Sequence, residues 1–287
     1  MHLDPRKLVA GCGEVSSLPM VFLRINEAIN SPRSSVADIS KIIAEDPGLT
    51  ARLLRLVNSP LYSFPGKIET ISRAVVIVGT QQLRDLALAT SILRLFQGIP
   101  EDLVSMESFW EHSVACGLGS RVLAAHRGEP NVERYFVAGI LHDIGKLVLY
   151  SQAPELARQA LAAGASQGEP AHVAEARILG FDHATLGRLL VHAWRLPASL
   201  EEVAGFHHSP GQATRYPVET AVVHLADIVA HLLRPGDWGG VLAPLDASAW
   251  KTLGLATGTL ALTLDQVDRQ FHEVVQTILP DRKSCTA

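Results

Sequence analysis

Along most of the chain, apolar residues recur at three- and four-residue intervals, the spacing that lines one face of an α-helix. Val36, Ile39, Ile42 and Ile43 keep this period behind a Ser35/Asp38 pair that reads as a capping box, and Pro47-Gly48 closes the segment. The run LTARLLRLV stops at Asn58-Ser59-Pro60, where asparagine suits a helix end and proline cannot continue one. AVVIV (74–78) is β-branched enough for a strand, yet no alternating run lies nearby to pair with it. Leu83, Leu86, Ala87, Leu93 and Phe96 then resume the helical period, so a helix is predicted there too.

Further helices are predicted at about 103–126, 132–151, 154–164, 170–179, 183–194, 198–207 and 217–233, punctuated by Pro130, Pro154, Gly164, Pro170, Gly180 and Pro197. The Gly- and Pro-rich RPGDWGGVLAPLD (234–246) reads as a connection. Leu260, Leu264, Val267, Phe271, Val274, Val275 and Ile278 mark a last amphipathic helix, opened by the Thr263/Gln266 capping spacing. The fold class is therefore all-α, an irregular multi-helix bundle, and function has to be argued from a site.

Composition narrows the setting. With 287 residues, 47% hydrophobic and 19% charged, the chain has material for one large domain or two small ones. A net charge of -4 and a pI near 6.3 argue against a surface built to neutralise nucleic-acid phosphates or an anionic membrane. Cys12, Cys116 and Cys285 form no CxxC and no even framework, which points to a reducing compartment, the cytoplasm. No run approaches the roughly 20 apolar residues that cross a bilayer.

The chemistry lies in the histidines. Twelve are present, several at apolar junctions between helices: His112 in FWEHSVACG, His142 with Asp143 in GILHDIGKLVL, His183 in GFDHATLG, His207-His208 in GFHHSP. Asp227 follows in HLADIV. On a helix, His142 and Asp143 diverge by about 100° and Lys146 shares their broad face. Imidazole and carboxylate together suit a divalent transition ion, and a carboxylate bridges two. Five histidines and two aspartates converging would hold two ions about 3.5–4 Å apart, the arrangement that activates water against phosphoryl groups, with Lys146 offsetting substrate charge. Taken singly, each residue has a plainer reading. Asp143 and Lys146 make an ordinary i,i+3 ion pair, a lone His112 is a buried histidine, His207-His208 ends a helix, and Asp227 has His224 and His231 as local neighbours at i-3 and i+4. Trp110, Trp194 and Trp250 read as core or interface, and His126, His172 and His272 as solvated or locally bonded.

In their order along separate helices, these residues resemble the HD superfamily of metal-dependent phosphohydrolases. VNSPLYS (57–63), IVGTQQLRDLAL (77–88), AGILHDIGKLVLY (138–150), LGFDHATLGRLLVHAWRLP and AGFHHSP (179–210) make the chain look more specifically like the HD-related output domain, or HDOD, family of bacterial signalling proteins. The resemblance spans about 15–235 and implies an N-terminal tail (1–14), a helical lobe (15–100), an HD-like core (101–235), and a linker with a C-terminal helical extension (236–287). It implies metal ligation by His112, His142, Asp143, His183, His207 or His208 or both, and Asp227, and catalytic parts for Lys146 and Asp143 if turnover occurs. One or two divalent transition ions follow, iron or manganese first, zinc or nickel also compatible, with no organic cofactor.

The implied function is a stand-alone signalling or regulatory module that binds a protein partner or a small nucleotide-like ligand. The alternatives are a phosphodiesterase or nucleotide phosphatase, and a module with a structural metal. Where HD-GYP phosphodiesterases continue with Glu and Asp-Gly, this chain has Ser209, Gln212, Ala213 and Arg215, with only Tyr216-Pro217 retained, which tells against cyclic di-GMP hydrolysis.

Overall fold

The computed structural model describes residues 3–13, 18–62, 64–93, 95–96, 98–233 and 241–279. Most of the connection read at 234–246, and Cys285, lie outside these residues. The described elements are helical, with no strand among them. They run α1 (Pro5–Gly11), α2 (Met20–Asn30), α3 (Val36–Ala44), α4 (Pro47–Val57), α5 (Ile71–Val78) and α6 (Thr80–Ile92). Then follow α7 (Met106–Arg127), α8 (Glu133–Leu141), α9 (Ile144–Gln152), α10 (Pro154–Gln167), α11 (Ala171–Leu179), α12 (His183–Ala193), α13 (Ala198–Phe206), α14 (Pro217–Leu233), α15 (Ala247–Leu253) and α16 (Thr259–Ile278). Two compact units divide the chain: a larger one within Met1–Ser17 and Phe96–Val267, and a smaller one within Leu18–Leu95 and Asp268–Ala287. No helix among the described residues is long and apolar enough to cross a membrane.

Capping explains most helix ends. The Ser35 hydroxyl accepts from the Asp38 amide (3.3 Å) while the Asp38 carboxylate accepts from the Ser35 amide (2.8 Å), so both orphan donors of the α3 start are used. Pro47-Gly48 does more than close α3. Asp46 caps α4 and Pro47 occupies its first position, where a missing N–H is no loss. The β-branched AVVIV lies in α5 behind a Thr70 cap, burying Ile71, Ala74 and Val75 on one face. Thr263 does not open the last helix, which begins one turn earlier; its hydroxyl donates to the Thr259 carbonyl at 2.8 Å inside α16.

The predicted helix 132–151 is two helices. Its backbone turns at His142-Asp143, with His142 ending α8 and Asp143 (φ -97°, ψ 7°) preceding α9. Because His142 keeps helical angles (φ -53°, ψ -40°), the two-residue turn leaves the apolar period almost in phase on either side, which is why periodicity runs straight through it.

Within the larger unit, three close crossings bring the site-bearing helices together. A Cβ on Gly139 of α8 would stand 2.7 Å from the Cys116 carbonyl and the Gly117 backbone of α7, and one on Gly117 would meet the Phe136 carbonyl at 2.9 Å. A Cβ on Gly119 of α7 would lie 3.2 Å from the Ala226 methyl of α14. Where α9 meets α12, a Cβ on Gly145 would overlap the His183 carbonyl and stand 2.5 Å from the Gly187 amide. Backbones in contact leave no room for a side chain.

Candidate metal centre

Helix ends deliver most of the polar side chains to one place in the larger unit. His142 ends α8, Asp143 opens α9, His207 ends α13 with His208 next, and His183 is the first residue of α12 behind an Asp182 cap whose carboxylate accepts from Thr185 N at 2.9 Å. His112 comes from α7, about two turns before the Gly119–Ala226 crossing, and Asp227 from α14, next to Ala226 at that crossing. All of them are buried except His208, which is partly exposed.

Asp143 is the hub. Its Oδ2 lies 3.4 Å from His142 Nε2 and 3.9 Å from His112 Nε2, while its Oδ1 lies 3.1 Å from His183 Nε2 and 3.5 Å from His207 Nε2. Asp227 Oδ1 joins the first group, 3.0 Å from His112 Nε2 and 3.5 Å from His142 Nε2. His208 joins the second, its Nε2 2.9 Å from His183 Nε2. The potential ligand atoms of His112, His142 and Asp143 lie within 4.8 Å of one another, and so do those of Asp143, His183, His207 and His208. A third such group, His112, Asp227 and His231, merges with the first through His112, so every residue expected at the site from the sequence converges, in two clusters that share the Asp143 carboxylate. Lys146 Nζ reaches Asp143 Oδ2 at 2.5 Å.

The outward ring nitrogens fix what the inward ones present. Nδ1 of His142 contacts the Gly139 carbonyl at 2.7 Å, Nδ1 of His207 the Ala204 carbonyl at 3.0 Å, and Nδ1 of His183 the Glu175 carboxylate at 2.6 Å. Carbonyl and carboxylate oxygens only accept, so each Nδ1 carries a proton and each Nε2 faces inward, where it offers a lone pair once the ring is neutral. Inside, Nε2 of His142 and His207 and Oδ1 of Asp143 and Asp227 are buried without a well-formed hydrogen bond. Burying carboxylates this way costs several kcal/mol unless a cation compensates, and the donor set of imidazoles and carboxylates fits a divalent transition ion.

Electrostatics point the same way. Burial pushes Asp143 towards protonation, but His142 and Lys146 outweigh it and hold the carboxyl well below its usual range. Asp227 is likewise held low against burial by His231, His112 and His142. Burial lowers His112 to about 4 despite Asp227, and it lowers His207 as well. For His142 and His183 burial is overcome, by Asp143 and by Glu175 respectively, so that His142 is raised well above the imidazole range and His183 to about 9. Protons here carry the charge that a bound dication would replace.

Four further residues belong to this centre and were not expected from the sequence. Glu175 holds His183. His231 places Nδ1 3.1 Å from Asp227 Oδ1, with its ring edge-on to His112 at 4.6 Å. His172, read from sequence as solvated or locally bonded, stacks on His208 with centroids 4.0 Å apart and planes 16° apart. His224 is not merely a local neighbour of Asp227, since its Nδ1 meets the His207 carbonyl at 2.8 Å and its Nε2 accepts from the Asp246 amide at 3.0 Å. The signal available beforehand was helical spacing: His172 and Glu175 are i,i+3, and Asp227 and His231 are i,i+4. A cavity of about 40 Å³ lies over the centre, lined by Lys146, His172, His183, His208, Asp227 and His231 among others.

Known proteins place the chain. A crystal structure from Shewanella amazonensis SB2B, of a protein named as a candidate phosphohydrolase, is 26% identical and superposes with a TM-score of 0.74 over 94% of this chain and 97% of that one. An HDOD domain protein of unknown function from Geobacter sulfurreducens shares the fold at 24% identity, with a TM-score of 0.73 over 96% of this chain and 95% of its own. An uncharacterised protein of Treponema pallidum (strain Nichols) is 27% identical over 222 residues, 77% of this chain but 43% of its own length, so the chain spans less than half of that relative. The model of the HDOD domain matches residues 15–210, more than half of the chain, and the protein belongs to the HDOD domain family.

Proposed function

We propose that this chain is a signalling module whose HD-like core holds a divalent transition ion, with His112, His142, Asp143, His183, His207, His208 and Asp227 as the ligand set and a partner or small ligand reading its state. The observation that carries this is the set of inward Nε2 lone pairs, fixed by outward Nδ1 contacts, around the two oxygens of Asp143. The enclosed space of about 40 Å³ over the centre holds a few waters, and the site opens to solvent beyond it.

A second reading, a phosphohydrolase, is favoured by the position of Lys146 and His231 on the cavity wall beside both carboxylates. Bound ions would supply Lewis acidity and a lowered water pKa. Lys146, whose ammonium is held by Asp143, is placed to offset the charge of a phosphate entering the cavity, and His231, with His112 and His142, keeps Asp227 ionised.

Elemental analysis of freshly purified protein, before and after supplementation with iron or manganese, tests both readings. The module binds metal, loses roughly 5 °C of Tm on chelation at an ion concentration near 100 Kd, and releases no phosphate from p-nitrophenyl phosphate esters. Less than one ion per several chains after supplementation sinks the metal reading. Phosphate release that disappears in His142→Ala and Asp143→Ala replaces the module with the enzyme.

A further inference from the structure

The two clusters differ in the charge they own. Asp227 stands with His112 and His142 in the first, which shares Asp143; the second shares Asp143 and otherwise has the imidazoles of His183, His207 and His208, the nearby Asp182 carboxylate being engaged in capping α12 through Thr185. A dication in the second cluster would therefore meet one shared carboxylate and neutral rings. Compensation for a buried charge has to come from nearby or the ion is not kept.

Glu175, on α11, is placed to give it. The residue is 1% exposed, and its Oε2 accepts from both the ring Nδ1 of His183 (2.6 Å) and the His183 backbone amide (2.8 Å). One oxygen thus fixes the ring and the first residue of α12 together. Among the described residues no lysine or arginine lies within ion-pair distance of Glu175, so its charge is directed at this imidazole. His142 and His207 rest instead on the neutral carbonyls of Gly139 and Ala204. A carboxylate behind a ligating imidazole orients the ring and makes its other nitrogen a stronger donor, an effect whose loss costs 10–100-fold in metal affinity.

Building on the metal-centre reading above, we propose that Glu175 is the positioning residue of the second cluster: it keeps His183 Nε2 turned towards Asp143 and supplies the negative charge that allows that cluster to hold its own divalent ion. The two clusters are then unequal by construction. Glu175 governs the weaker ion and leaves the stronger one alone.

The test is a Mn²⁺ titration of chelator-stripped full-length chain, wild type and Glu175→Gln, followed by calorimetry and by the electron paramagnetic resonance of coupled Mn²⁺ pairs. Imidazole ¹⁵N spectra of the metal-free proteins, taken above pH 9 where His183 is neutral, report its tautomer independently of metal. Wild type is expected to take two ions in two steps. Glu175→Gln should weaken the second step 10–100-fold, leave the first within about twofold, abolish the pair signal, and lose the uniform Nδ1–H tautomer at His183. Two steps that are both unchanged, or both weakened alike, overturn the assignment. A wild type that binds one ion overturns it as well while sparing the metal reading, and one that binds none overturns both. If Glu175→Gln does not fold, Glu175→Asp retracts the oxygen while keeping the charge and should weaken the second step alone about 10-fold; an unaltered second step there is equally fatal.

Discussion

Asn58-Ser59-Pro60 in the smaller unit and His142-Asp143 in the larger are both short polar interruptions between apolar helices, and both belong to the stretches that carried the family resemblance. The backbone consumes the first. Asn58 Nδ2 donates to the Leu54 and Ile68 carbonyls (2.6 and 2.8 Å), Asn58 Oδ1 accepts from the Ile68 amide (2.8 Å), and Ser59 Oγ donates to the Leu56 carbonyl (2.7 Å) and accepts from Leu61 N (3.3 Å). The second spends only its outer atoms on the backbone. His142 anchors by Nδ1, while its Nε2 and Asp143 Oδ1 are buried without a hydrogen bond. A polar motif whose valences are filled by its own chain is a staple; one that keeps valences unfilled at a cost of several kcal/mol is held for something else.

Substitutions should separate the two kinds of motif. Asp143→Ala removes the carboxylate shared by both clusters and should lower metal uptake at least 100-fold, read by elemental analysis, whereas Asn58→Ala should leave uptake unchanged. Gly145→Ala drives a methyl into the His183 carbonyl and should cost about 3 kcal/mol, a fall of about 8 °C in Tm, with metal lost alongside as α9 and α12 separate. Asn58→Ala strands the buried Ile68 amide and should cost about 1–3 kcal/mol, a few degrees by calorimetry. Metal loss in that variant would erase the distinction between staple and centre.

The smallest effect is on pH dependence. Asp143 and Asp227 have folded values below their unfolded ones, so their contribution is present above the ordinary carboxylate range and fades as pH falls through the folded values. His183 is the reverse: raised from 6.5 to about 9, it contributes fully below 6.5 and less as pH rises through 9. Metal competes with those imidazole protons, so the gain in Tm on adding Mn²⁺ should grow by a few degrees between pH 6 and pH 8. A gain that shrinks over that window would contradict the lone-pair geometry.

Helix identity and most of the boundaries were legible because the outer helices bury one stripe, as α3 does with Ile39 and Ile43, while caps and Gly or Pro punctuate α7 to α9, which are buried nearly all round. The α8–α9 break was not, since a two-residue turn with near-helical angles hardly shifts the period from Ile140 and Leu141 to Ile144 and Leu147. The convergence of the seven ligand candidates was legible from their order, through the family resemblance. Glu175 and His172 were not, because an i,i+3 polar pair on a helix is commonplace and only the packing of α11 against α12 gives it a partner. Lys146 was anticipated at the pocket, and its 2.5 Å contact with Asp143 also satisfies the plainer ion-pair reading.

Where Gly117 meets Gly139 and Gly145 meets Gly187, main chain touches main chain and no rotamer intervenes. The spacing of the ligand-bearing helices is consequently inherited from the backbone, not negotiated among side chains. A methyl at Gly117, Gly139 or Gly145 would therefore move the ligands by moving the helices themselves.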